Sequence, residues 1–377
     1  MAGEQTHWFL REGCNLPRCS YCFGPLAVQQ AINLEQDTKL AKELVANGIK
    51  SVVLGGGEPL LASNIKDVLK TLKDGGIYTS LHTNGLYLTE ERLDELTGLV
   101  DEIALPIDTT DRTRQSQLRS QQFLPVFDNI ENLADSINNR GINLGWHTVF
   151  TNLNSGDIPA LYDFLCQHNF KFWRIYEYND DLARQGWLQY AGDDQEKVKK
   201  SYISADTLSN PGTTAAGGTD CLLADFLRME ETMQRIGDDR VCFVARKDEL
   251  AHPYMFLRPN GDVNYYNWCS VSQRRNLGNI LKDSLPVVMS KSEDLRIDFD
   301  IEKGGDYTRD WLDATADMPV WARLWEGIGS INEELDEIET EEQAHEVIRL
   351  ANLWLKRNGG KGDEIKFEDY FGFVEQD

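Results

Sequence analysis

Cys14-Asn15-Leu16-Pro17-Arg18-Cys19-Ser20-Tyr21-Cys22 sets three thiols on one short stretch near the start of a 377-residue chain. Thiolates this close in sequence can converge on a metal or an iron–sulfur cluster. Zinc is the first competitor, but a structural zinc site closes four ligands and usually reads as paired CxxC knuckles. Here a single CxxC follows a lone cysteine, and neither cysteine nor histidine comes soon after it. Three thiolates on a [4Fe–4S] cubane leave one iron open to another ligand. Structural or redox-active thiols are the plainer alternative.

Working outward, the apolar run His7-Trp8-Phe9-Leu10 enters the cysteine stretch as a strand enters its C-terminal loop. The run Ser51-Val52-Val53-Leu54 then passes into Gly55-Gly56-Gly57-Glu58-Pro59. Glycines at a strand end let backbone approach a ligand closely, and Glu58 can accept a hydrogen bond from an ammonium there. Taken alone, Gly-Gly-Glu-Pro is only turn chemistry.

Together, the cysteines and the Gly-Gly-Glu segment resemble the radical S-adenosylmethionine (SAM) superfamily. The resemblance implies that Cys14, Cys19 and Cys22 hold a [4Fe–4S] cluster whose open iron chelates the amino and carboxylate groups of SAM. Gly56, Gly57 and Glu58 would then bind the methionine ammonium, and Tyr21 would pack against the adenine. The spacing is C-x4-C-x2-C where the family usually has C-x3-C-x2-C, which implies a wider loop with no ligand lost. The chemistry implied is reductive cleavage of SAM to a 5′-deoxyadenosyl radical that abstracts hydrogen from a peptide or small-molecule substrate. An electron donor such as flavodoxin or ferredoxin is also implied.

Apolar runs and amphipathic stretches alternate from about residue 7 to 180. Strands are expected at Trp8–Leu10, Ser51–Leu54, Ile77–Thr83, Glu102–Ile107, Gly145–Phe150 and Lys171–Tyr178. Helices are expected at Thr38–Ala46, Ile65–Lys73, Glu90–Leu96, Val126–Asn138 and Ile158–Gln167. Such alternation predicts an α/β fold with a parallel sheet, and it matches the partial (β/α)6 barrel of the resembled family. Functional side chains in parallel barrels gather at the C-terminal strand ends.

At those ends the family likeness assigns Asn84, in Thr83-Asn84-Gly85, to the SAM site and Asp108 to the ribose hydroxyls. Asn152 competes with Asn154 for the sugar or carboxylate. Turn and helix-capping chemistry is the competing reading at each of these positions. His82 reads as a packed histidine rather than a catalytic base. On the sixth strand, alternation sets Trp173, Ile175 and Glu177 on one face and Arg174, Tyr176 and Tyr178 on the other.

Four segments are expected: a core at 1–180, a polar linker or lid at 181–219, a hairpin region at 220–282 and an acidic helical region at 283–377. Tyr254 to Tyr266 reads as a β-hairpin turning at Pro259-Asn260-Gly261-Asp262. This hairpin, Cys269 and the following Leu277-Gly278-Asn279-Ile280 resemble twitch and SPASM extensions. In that likeness Cys221, Cys242 and Cys269 are available for one auxiliary cluster, with buried free thiols as the alternative. Cys166 is expected in the core. In the tail, Ile331, Leu335 and Ile338, then Val347, Ile348, Ala351, Trp354 and Leu355, recur at helical spacing.

Lys plus Arg number 38 against 62 Asp plus Glu, a net charge of −24. That balance disfavours bulk nucleic-acid or anionic-membrane binding. With no secretory signal or spanning segment legible, seven cysteines point to a reducing cytoplasm. A viperin-like, single-cluster enzyme acting on a nucleotide is the alternative substrate class. A barrel that binds metal or senses redox state without catalysis is the alternative outside enzymes.

Overall fold

A computed structural model describes residues 5–16, 19–22, 34–178, 220–244, 255–265, 275–291, 349 and 352. The chain divides into two compact units, residues 1–205 with 239–294, and residues 206–238 with 295–377. In the first, ten strands form one sheet: β1 (Gln5–Arg11), β2 (Ser51–Gly56), β3 (Tyr78–His82), β4 (Glu102–Pro106), β5 (Asn143–Phe150), β6 (Phe172–Glu177), β7 (Val241–Val244), β8 (Met255–Leu257), β9 (Asp262–Tyr265) and β10 (Arg275–Asn279). The spatial order is β10-β9-β8-β1-β2-β3-β4-β5-β6-β7. β1 to β7 run parallel to their neighbours, and β8 joins β1 in parallel. β9 and β10 are antiparallel.

The intervening helices are α1 (Leu34–Ala46), α2 (Ile65–Asp74), α3 (Glu90–Leu96), α4 (Arg112–Arg119), α5 (Leu124–Phe127), α6 (Ile130–Asn139) and α7 (Ile158–Cys166). One row of strand residues, Trp8, Leu54, Leu81, Ile103, Leu144, Trp146 and Trp173, is essentially inaccessible to solvent. Tyr162 of α7 stacks on Trp173 at 6.5 Å between centroids, which places the helices on this face. Leu40 and Leu44, Val68 and Leu72, and Leu133 and Ile137 recur at helical spacing and are buried. This double layer is the main apolar core. The other face carries His7, Gly55, His82, Ala104, His147 and Arg174.

The six expected strands all form. The expected Val126–Asn138 helix is two, α5 and α6, separated at Asp128, whose carboxylate leaves the helical run to take Arg112 in a bidentate pair (2.7 and 2.9 Å). Helix α4 went unexpected because Leu118 is the one apolar residue in Arg-Thr-Arg-Gln-Ser-Gln-Leu-Arg. It is started instead by Asp111, which accepts from Arg114 N at 2.8 Å.

The hairpin forms as expected, β8 turning into β9, with Gly261 at φ 86°. Its pairing with β1 was not legible locally. Cys166 is corrected from core to surface, since α7 buries Ile158, Leu161 and Leu165, and the next position rotates away from that stripe. The segment 179–219 and most of 292–377, including the expected acidic helices, lie outside the described residues. In the second unit, α8 (Asp220–Gln234) carries Glu231, which pairs with Arg349. No described helix is long and apolar enough to cross a membrane.

Candidate active site

The cysteine loop is held at both ends by different parts of the barrel. At its entry, Gly57 N donates to Arg11 O and Glu58 N to Gly13 O, each at 2.8 Å. This backbone-on-backbone approach explains the glycines. Gly56 has φ 106°, in the left-handed region, and a Cβ there would lie 2.5 Å from Arg11 O. A Cβ on Gly57 would overlap the Gly13 carbonyl outright. Arg11 is itself pinned to Asp37 (2.8 Å) and Asn64 (3.1 Å) on the helix layer.

At its exit, Ser20 N and Oγ both donate to Leu118 O, at 2.9 and 2.8 Å. Tyr21 Oη donates to Asp108 Oδ2 at 2.7 Å, and Cys22 N closes a turn on Cys19 O at 3.1 Å. The last turn of α4 therefore carries the Cys19–Cys22 segment. Arg119 stands over the Tyr21 ring at 5.2 Å. Sequence reading missed Arg119 because the helix that carries it was itself invisible.

Glu58 is completely buried. Its Oε1 accepts from Leu60 N (3.0 Å) and Thr83 Oγ1 (2.7 Å), and its Oε2 accepts from Asn84 N (2.8 Å). Burial nevertheless pushes its carboxyl up to about 7. Asn84 Nδ2 reaches Asn15 Oδ1 at 2.7 Å and Cys14 Sγ at 3.7 Å. The Thr-Asn-Gly turn thus links the Gly-Gly-Glu segment to the first cysteine, bringing Cys14, Glu58 and Asn84 together.

Asp108 has no exposed surface. Besides Tyr21, its carboxylate takes Arg119 Nε (2.6 Å) and Nη2 (3.3 Å) and Val149 N (2.9 Å). The acceptor capacity expected for a ribose is spent on protein donors. Asn154 is likewise spent, on Thr151 N (2.7 Å), Asp108 O (2.8 Å) and Val149 O (2.9 Å). Asn152 is half-buried in the same loop.

The three thiols lie within electrostatic range of one another. Burial pushes Cys19 up to about 12, with Arg119 opposing and Cys22 and Cys14 adding. Cys14 is pushed up to about 11, also chiefly by burial. Among the described residues no three His, Cys, Asp or Glu side chains gather as for one metal ion. Cys242 is exposed on β7. The side chains of Cys221 and Cys269 lie outside the described residues.

Burial also acts on the histidines of the opposite sheet face. It lowers His7 to about 4 and, with neighbouring charge, holds His82 and His147 well below the ordinary value. Such groups stabilise the fold above about pH 6.5, where the unfolded chain is also neutral, and that stability is lost as pH falls toward about 4. Glu58, raised from 4.5 to about 7, acts oppositely. Glu102, also raised by burial, acts with Glu58, and the three imidazoles outweigh these two carboxyls, so the urea midpoint is expected to fall as pH drops from 6.5 to 4.5. A midpoint that rises over that interval would contradict the assignment.

The Radical SAM superfamily model matches residues 9–165. An S-adenosylmethionine-dependent nucleotide dehydratase of Lacinutrix mariniflava is 29% identical over 182 residues, covering 45% of this chain and 37% of that protein. A GTP 3′,8-cyclase of Chlorobaculum tepidum is 26% identical, over 53% of this chain and 62% of its own. A PqqA peptide cyclase of Ruegeria pomeroyi is 32% identical, over 42% and 41%. The chain spans less than two thirds of the length of each. Among solved structures, Native anSMEcpe with bound AdoMet superposes with TM-score 0.56 at 15% identity, covering 95% of this chain and 100% of that one. Streptococcus suis SuiB bound to precursor peptide SuiA gives 0.54 at 18% identity, over 75% and 64%. These two show the shared fold.

Proposed function

We propose that the chain, whose residues 9–165 match the Radical SAM superfamily model, is a radical SAM enzyme that cleaves SAM reductively to abstract hydrogen from a small-molecule or peptide substrate. Cys14, Cys19 and Cys22 would hold the [4Fe–4S] cluster. Gly56, Gly57, Glu58 and Asn84 would frame the methionine end of SAM, Tyr21 the adenine, and Asn152 the sugar side. The bound cluster and SAM supply an electron to the sulfonium and a 5′-deoxyadenosyl radical.

This chain's residues do the positioning. Glu58 presents a buried carboxylate held by Thr83 and Asn84, so little of it can reorient. Asp108 acts through Arg119 and Tyr21, fixing the Cys19–Cys22 turn rather than touching the ribose. The observation that carries the proposal is Asn84, which bridges the Gly-Gly-Glu carboxylate and the first thiol from a third strand.

The test is anaerobic reconstitution with iron and sulfide, then dithionite and SAM. 5′-Deoxyadenosine is expected above an unreduced control. Single Cys14→Ala, Cys19→Ala and Cys22→Ala variants are each expected to lose the product by more than about 100-fold. Product at wild-type rate from any of them would sink the ligand assignment.

A nucleotide substrate is the second reading. It is favoured by Arg174, which lies on the sheet face away from the helices and over the Phe172 ring at 4.2 Å. Deuterium transfer into 5′-deoxyadenosine from labelled nucleotides or peptides separates the two. The hairpin also supports a twitch-like C-terminal region with an auxiliary cluster. About eight iron atoms per chain support it, and about four oppose it. A reducing cytoplasm and a flavodoxin or ferredoxin donor complete the proposal.

A further inference from the structure

On the sheet face away from the helices, the register stacks His82 beside Ala104, Ala104 beside Gly145, and His147 beside Arg174. The small side chain of Ala104 leaves β4 bare between the two rings, while the Phe172 ring lies over Gly145. His82 and His147 lean into it from either side of β4, with ring centroids 4.3 Å apart and planes at 82°. Neighbouring strands are about 4.8 Å apart, so rings two strands apart meet only by converging over the strand between.

From these positions we infer that His82, His147 and Arg174 form an oxyanion-binding site that takes a phosphate or carboxylate group of the substrate. That the bound group belongs to a substrate rests on the radical SAM reading above.

Three observations support the site. The Nε2 atoms of His82 and His147 are buried, and among the described residues neither has a hydrogen-bond partner. Buried polar atoms are normally satisfied, so two orphaned ring nitrogens side by side point to a ligand that meets them. Arg174 is only half-buried and rests on Phe172 rather than on a carboxylate.

Phe172 is fixed in turn, because a Cβ at Gly145 would collide with its ring. Glu102, the acid nearest in charge to Arg174, is taken up by Ser80 Oγ at 2.5 Å and Tyr78 Oη at 3.2 Å. Among the described residues Arg174 forms no ion pair, although its charge acts on Glu102, and its N–H fork suits a bidentate oxyanion. Tyr176 closes against the His147 ring at 5.3 Å. Burial, then the Arg174 charge, keeps His147 neutral. An oxyanion on Arg174 offsets that charge and lets each imidazole donate.

The test titrates the reconstituted full chain anaerobically with inorganic phosphate and, separately, with succinate, at fixed ionic strength in a calorimeter. Binding of at least one is expected. Tighter phosphate assigns a phosphate ester, and tighter succinate a carboxylate. Arg174→Met is expected to weaken the bound anion by about tenfold or more, and Arg174→Lys by less, because it keeps the charge and loses the fork. His82→Phe is expected to weaken it by about threefold. If neither anion binds, or if Arg174→Met binds as tightly as wild type, the site is refuted. Should Arg174→Met fail to fold, unchanged affinity in both Arg174→Lys and His82→Phe refutes it equally. 5′-Deoxyadenosine formation by the wild type is measured in parallel. Its absence removes the radical reading while the anion titration still decides the site.

Discussion

Gly57→Ala is expected to cost the protein the iron–sulfur cluster proposed above. The added methyl would occupy the position of the Gly13 carbonyl, with the Glu12 carbonyl close behind. Those atoms are backbone, not the yielding end of a long side chain, so β2 and the cysteine loop must separate. Two short bonds go with them, Gly57 N to Arg11 O and Glu58 N to Gly13 O. Each buried hydrogen bond contributes about 1 kcal/mol net, and the overlap adds about 1–3 kcal/mol. The sum falls directly on the residue before Cys14. Iron retained after reconstitution is expected to drop to less than about a tenth of wild type, with a lower urea midpoint. Full iron loading at the wild-type midpoint would show that the loop does not depend on this contact.

Asp108→Asn is expected to destabilise by about 3–5 kcal/mol, because it strands the buried Arg119 guanidinium without its counter-charge. The side chains of Asp108 and Arg119 are 0% and 10% exposed, so water can do little to replace the lost partner. Arg119→Met should cost a similar amount by leaving the carboxylate alone. The double variant Asp108→Leu with Arg119→Met should recover much of the loss, since a buried pair replaced as a whole is often nearly neutral. The double variant alone removes the acceptor of Tyr21's 2.7 Å bond outright, and it should load less iron than its stability alone predicts. Additive losses in the double variant would mean the two residues act separately.

Much of this arrangement was legible from residues. The alternation of Trp8, Leu54, Leu81 and Trp146 with amphipathic helices marked a parallel sheet, because burial against helices needs apolar side chains on alternate strand positions. The cysteine stretch and Gly-Gly-Glu could be linked only through a family likeness, and the structure does set Gly57 and Glu58 against Arg11 and Gly13. What stayed hidden was long-range. Helix α4 is polar on nearly every side and held by Asp111, so no periodicity announced it. Asp108 reads identically as a ligand group or as half of a buried pair until Arg119 is placed beside it. Short β7 and the pairing of β8 with β1 depend on partners far away in the chain, which local pattern does not encode.

The seating of β1 between β2 and β8 bears on the order of synthesis. β1 leaves the ribosome first, yet its outer neighbour is Met255–Leu257, and Glu12 awaits Arg258, 246 residues later, for a 2.8 Å bond. Contacts of such sequence separation form late in folding. A nascent chain that has not passed residue 258 therefore presents the Cys14 loop beside an unfinished sheet edge, and β1 gains its second neighbour only once the hairpin is made.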